Sequence, residues 1–153
     1  MSTNRNYWLM KSEPDAFSID DLAAVKNEPW DGIRNYQARN FMREMKVGDG
    51  ILFYHSSCKI PGVVGTAEVT KEIYPDHTAW DPSSKYFDSK STPDKPRWEM
   101  VDVALVEKWP NPVTLKQLKA EPALGDFMLL RKGMRLSIMP VTQPQWECIN
   151  KMR

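Results

Sequence analysis

The chain has 153 residues, with 21 Lys and Arg against 20 Asp and Glu, for a formal net charge of +1. That length supports one domain around a single core. Near-neutrality excludes a global cationic field, so any hold on nucleic acid or an anionic membrane has to come from a local patch.

From the amino end, Tyr7 to Met10 is apolar and aromatic, as in a buried strand, and it runs into Lys11-Ser12-Glu13-Pro14. Pro14 disfavours helix at the residue before it, so the strand is expected to end at the charged triplet. Ser18 then supplies an N-cap hydroxyl with Asp20 and Asp21 in the first turn of a short helix, whose apolar face is Ile19, Leu22, Ala23 and Val25. The stretch PWDGIRNYQARNFMREM turns at Asp31-Gly32 and predicts a helix from about Asn35, with Tyr36, Phe41, Met42 and Met45 for packing. Arg39, Arg43 and Lys46 lie on its other face, and Arg34 stands at its entrance.

After Gly48 the pattern changes to strands. ILFYHSS and VVGTAEVTKEIY are rich in β-branched and aromatic residues and are joined around Cys58 to Gly62. DPSSKYFDSKSTPDKP, from Asp81 to Pro96, is polar and long for a connection in so small a domain, the kind of loop that is either functional or disordered. WEMVDVALVEKW returns to strand, MRLSIMPV reads as the last strand, and Thr114/Gln117 and Thr142/Gln145 have capping-box spacing at the start of two helices. Trp146 and Ile149 lie on the terminal one. The sum is an α+β fold of five or six strands on a curved or closed sheet with short helices around it, in one domain over residues 1–153.

Chemical motifs are sparse. There is no GxGxxG or GxxxxGK[ST] phosphate loop, no GxSxG elbow, and two histidines, His55 and His77, leave little for a catalytic metal. Cys58 and Cys148 lack CxxC spacing and suit a reducing compartment. No stretch approaches the ~18 apolar residues of a membrane span, and MSTNRNYWLM has no signal-peptide run. A soluble intracellular protein is expected, cytoplasmic, or nuclear in a eukaryote, with no cofactor.

Glu13, Asp15, Asp31 and Asp88 are either an acid–base set or capping and turn residues. Trp30, between Pro29 and Asp31-Gly32, either lines a cleft or fills the interior. The Arg34/Arg39/Arg43/Lys46 group is either a solvated helix face or a stripe for a nucleic-acid backbone.

Taken in order, WLMKSEP, WDGIRNYQARNFM, GDGILFYHSS, PGVVGTAEV, YPDHTAWDP, RWEMVDV and RLSIMPV closely resemble the EVE domain family from about Tyr7 to Val141. The resemblance implies a PUA-like twisted β-barrel related to YTH readers and ASCH domains, with a pocket for one extruded, modified base. The implied partner is nucleic acid, modified cytosine in DNA ahead of modified RNA, with no membrane partner. A nuclease or base-processing enzyme of the ASCH type is the alternative.

By the same resemblance, Lys11, Ser12 and Glu13 form the pocket's rim and floor, Ser12 bonding the base edge. Trp30 stacks on the base and Asn35 supplies an amide. His55 and Ser56 line the wall, and Tyr86 closes over the top. Arg34, Arg39 and Arg43 meet phosphates. Where the family often has proline after the loop aspartate, this chain has Asp88-Ser89, which predicts a more mobile loop around Tyr86.

Overall fold

A computed structural model describes residues 5–153. Residues 1–4, part of the amino-terminal stretch read above for an apolar run, lie outside the described residues. Six strands form one twisted sheet: β1 (Tyr7–Ser12), β2 (Glu28–Pro29), β3 (Gly50–His55), β4 (Gly62–Pro75), β5 (Glu99–Thr114) and β6 (Ile138–Val141). Their order is β2-β5-β4-β3-β1-β6. The four α-helices are α1 (Ile19–Ala23), α2 (Tyr36–Met42), α3 (Leu115–Ala120) and α4 (Gln143–Met152).

The α+β architecture, one sheet with short helices around it, is as expected, with one correction. The sheet does not close into a barrel, because its edge strands β2 and β6 are not paired with each other. The short α2 helix packs against both β5 and β6 and fills that gap. Its Ala38 and Met42 are fully buried.

Why β1 reads as a continuous apolar run is now clear. It is an interior strand, parallel to β3 on one side and antiparallel to β6 on the other, and both faces of the sheet are covered. Trp8 and Met10 join Ile51, Phe53, Val101 and Val103 in one core, together with Ile19 and Leu22 of α1. Leu9 joins Leu52, Tyr54 and Val63 in the other, against Leu118 of α3 and Ile149 of α4. The parallel β1–β3 pair needs a crossover, and residues 13–49 supply it. Those residues carry one side of the cleft described below.

The capping signals hold in space. Ser18/Asp21, Thr114/Gln117 and Thr142/Gln145 each form a reciprocal capping box. Ala23 and Val25 are exposed, so the predicted apolar face of α1 reduces to Ile19 and Leu22. Pro110 and Pro112 are tolerated inside β5 because they fall between Lys108 and Val113, where its register against β4 shifts. No described helix is long and apolar enough to cross a membrane.

Beyond β4, Asp76 is wholly buried, and its carboxylate gathers the chain around it. It accepts hydrogen bonds from the Gly32 N–H at 2.8 Å, the Thr78 N–H at 2.9 Å and the Thr78 hydroxyl at 2.5 Å. It also pairs with Arg34 Nη1 at 3.0 Å. Arg34 in turn donates to the Tyr86 carbonyl from Nε at 3.0 Å and Nη2 at 2.7 Å. The polar 81–96 loop is thereby tied to the Asp31–Arg34 turn. It is tied again where Asp88 accepts from Trp98 Nε1 at 2.7 Å and its N–H reaches the Ala79 carbonyl.

Burial alone would raise the Asp76 pKa, but hydrogen bonds from Thr78, Gly32 and Arg34 outweigh it and hold the carboxyl below its usual 3.8. A depressed native pKa contributes stability above the unfolded value and loses it as pH falls through the native one. The wild type is therefore expected to lose stability below about pH 4, and Asp76→Asn to flatten that part of the profile. At neutral pH the same change leaves Arg34 without its counterion, with an expected loss of about 3 kcal/mol in urea unfolding. An unaltered acid profile would assign the pH dependence to other carboxylates.

Candidate nucleic-acid interface

A cleft of about 540 Å³ opens where the ends of β1 and β2, the β3–β4 connection and the 81–96 loop converge. Lys11, Ser12, Glu13, Trp30, Ser56 and Tyr86 all line it, so six of the eight residues expected to contact a base are brought together. The turn Lys11-Ser12-Glu13-Pro14 is built from its own polar groups. The Glu13 carbonyl accepts from the Ala16 and Phe17 N–H groups, and the Ser12 hydroxyl donates to the Phe17 carbonyl at 2.6 Å. The Ser12 proton is therefore spent internally, and what its oxygen offers the cleft is a lone pair. Ser56 is held beside it, its N–H bonded to the Ser12 carbonyl at 3.0 Å.

Both readings of Trp30 apply. It is only 8% exposed and belongs to the core, yet it also forms a wall of the cleft. Phe17 and Phe53 meet its ring edge-on, at 6.4 and 5.7 Å between centroids, which sets the plane of the indole. The Trp30 backbone N–H reaches the Val101 carbonyl at 2.7 Å, anchoring the segment after β2 to β5.

Tyr86 closes against Gly32. A Cβ at residue 32 would lie 2.5 to 2.7 Å from three Tyr86 ring atoms, and φ there is +78°. Glycine meets both demands, the steric one and the left-handed one.

The other two base-binding candidates stand apart from the cleft. Asn35 caps α2, its Oδ1 accepting from the Ala38 N–H at 2.9 Å. His55 Nε2 accepts from the Ile19 N–H at 3.1 Å, where α1 begins. That bond needs a neutral imidazole, and burial lowers the His55 pKa in the same direction.

The arginines expected at phosphates already have partners. Arg34 is absorbed by Asp76 and Tyr86, with its guanidinium beside the Tyr86 and Trp98 rings. Arg39 donates to the Arg97 carbonyl at 2.9 Å and lies over the Tyr36 ring. Arg43 is paired with Glu99.

The lining also includes residues not expected at a base, among them Phe17, Glu28, Asp31, Arg135 and Ser137. Asp31 had been noted as a carboxylate, and WDGIR already placed it next to Trp30. Arg135 and Ser137 precede β6, 105 or more positions along the chain from Trp30, and arrive because the Ser137 carbonyl accepts from the Lys11 N–H at 2.8 Å.

Charges in the cleft interact unevenly. Burial lowers the Lys11 pKa. Burial, with Asp76 nearby, raises that of Asp31; burial, with Asp31 and Asp102 nearby, raises that of Glu28. The four proposed acid–base carboxylates are not assembled, since Glu13 and Asp31 line the cleft whereas Asp88 bonds Trp98 and Asp15 lies outside the lining. Among the described residues no group of three or more His, Cys, Asp or Glu is arranged to hold a metal.

The chain is 45% identical to mouse thymocyte nuclear protein 1 over 94% of its own length and 72% of the relative's. A solved protein of Pseudomonas syringae is 50% identical, with a TM-score of 0.93 over 95% of this chain and 98% of that one. Human THYN1, solved in complex with 5-methylcytosine-containing DNA, is 42% identical, with a TM-score of 0.89 over 96% of each chain. An ASCH protein of Zymomonas mobilis shares the fold at 14% identity and a TM-score of 0.53. The EVE domain model matches residues 6–152, nearly the whole sequence and both sides of the cleft, and the chain belongs to the EVE domain family.

Proposed function

We propose that this chain is a reader of modified cytosine in DNA, taking one extruded base into the Trp30 cleft. The observation that carries the reading is the union of a fixed indole wall, a tyrosine held over the adjacent glycine, and polar groups at the rim of a cleft of about 540 Å³. That volume suits a single small ligand, not a stacked duplex, so a base has to leave its stack to enter. The relative solved with 5-methylcytosine-containing DNA supports the choice of base and polymer.

Each lining group has a matching part on the ligand. Trp30 stacks on the ring, and Tyr86 covers the base from the loop side. A cytosine amino group is a donor, which Asp31, Glu28 or the Ser12 oxygen accepts. Ser56 serves the carbonyl side. The proposed role is binding: His55, which the resemblance placed on the pocket wall, has its acceptor nitrogen committed to the Ile19 N–H. A buried methyl contributes only about 0.8 kcal/mol, so preference for the modified over the plain base is expected to be modest.

Fluorescence anisotropy with matched DNA and RNA oligonucleotides carrying cytosine, 5-methylcytosine, 5-hydroxymethylcytosine or N6-methyladenine tests the reading. The tightest binding is expected for modified cytosine in DNA, and Trp30→Ala is expected to cost about 1–3 kcal/mol. Equal binding of all oligonucleotides, unaltered in the variant, would refute it.

Two further variants probe the cleft's parts. Gly32→Ala is expected to displace Tyr86 and weaken modified-base binding while the chain still folds; wild-type affinity in a folded variant would show that Tyr86 does not cover the base. Asp31 accepts most strongly as a carboxylate, and its pKa is raised above 3.8. Binding is therefore expected to fall on acidification before an ordinary carboxylate would titrate, and Asp31→Asn to remove that pH dependence in an affinity series from pH 7 downward.

A further inference from the structure

Arg34, Arg39 and Arg43, expected at phosphates, are engaged elsewhere, so a strand bearing an extruded base needs another basic surface. One adjoins the cleft. Arg135 lines the cleft and also two neighbouring hollows, one containing Asn35, Gln37, Arg131 and Lys132, the other containing Lys11, Lys119, Arg131 and Lys132. Neither neighbouring hollow is lined by any Asp or Glu. In a chain with nearly equal numbers of acids and bases, an acid-free surface holding five cations is a local concentration of charge.

These cations are also uncommitted. Among the described residues none of Lys11, Lys119, Arg131, Lys132 and Arg135 is in an ion pair, in contrast to Arg34, Arg43, Arg97, Lys108 and Arg153. Arg131, Lys132, Arg135 and Lys119 are exposed. The loop presenting them is nonetheless ordered by a tight turn: the Met134 N–H bonds the Arg131 carbonyl at 3.1 Å, and Gly133 takes φ +74°. Ser137, three residues beyond Met134, is bonded to Lys11 at the cleft.

We infer that the 131–135 turn, with Lys11 and Lys119, is the track for the phosphodiester backbone flanking the extruded base. The inference rests on the base-reading role proposed above and assigns the phosphate contacts to this turn instead of to the α2 arginines. Phosphate contacts position a strand without reading its sequence. Removing them should therefore lower affinity for modified and unmodified DNA alike and reduce the dependence on salt.

The test is the salt dependence of binding by the full chain to 5-methylcytosine-containing and unmodified DNA, between 50 and 200 mM salt, for wild type and the double variant Arg131→Gln/Arg135→Gln. Neutralising two phosphate contacts should make the slope of log K against log salt shallower by about 1.4 to 1.8, with the ratio of modified to unmodified affinity preserved. Removing the same two charges at Lys71 and Lys108, which line none of the three hollows, should leave the slope near that of wild type. A wild-type slope in the Arg131/Arg135 variant, with modified-base preference intact, would overturn the track and leave the base-reading role standing. Equal shallowing in the Lys71/Lys108 variant would also overturn it, as a net-charge effect. A shallower slope with no preference for the modified base in the wild type would overturn both the base-reading role and the track's place beside it.

Discussion

The buried Asp76 carboxylate is the constraint on which the cleft depends. An ionised group with no solvent contact has to be fully bonded, and the donors that satisfy it come from the Gly32 backbone, the Arg34 side chain and Thr78. Because Arg34 also holds the Tyr86 carbonyl, one carboxylate sets the relation between the turn after Trp30 and the loop over it. Removing one partner of such a pair is costly, because it leaves an uncompensated charge in the interior.

This arrangement shows how a basic residue beside an aromatic cleft can be committed within the chain itself. Arg34, Arg39 and Arg43 read as a stripe because helical spacing places them near one another, yet each is taken up by a carboxylate or carbonyl from a distant segment: Asp76, Arg97 and Glu99. The guanidinium groups of Arg34 and Arg39 also lie against Tyr36, Tyr86 and Trp98, so those two brace the loop that carries the cleft's cover. Free positive charge is left on the other rim, in the turn before β6.

The energetics of such a site are narrow. Extrusion of a base costs a few kcal/mol, comparable to the gain from one aromatic stack, so a cleft that had to organise itself on binding would return little. Pre-formed walls matter for that reason. Trp30 is held between two phenylalanine edges and by a backbone bond to β5, and the 13–17 turn is bonded by the Ser12 hydroxyl, all within the chain itself.

Local signals were legible in the sequence wherever the physics is local. Hydrophobic patterning marked five of the six strands but not the two-residue β2, the Ser18 hydroxyl and two threonine-to-glutamine spacings marked three helix starts, and Lys11-Ser12-Glu13-Pro14 marked the end of β1, because each depends on residues within a few positions of one another. The seven ordered blocks also located the family and, through it, most of one cleft wall. Tertiary structure alone decided which polar groups remain available. Asn35 and His55 carry suitable chemistry but spend it on helix ends, the α2 arginines spend theirs on distant acceptors, and Arg135 enters the cleft through a strand register that no short window contains. Residue type determines what a side chain can donate or accept; only the fold determines whether another part of the chain has already used it.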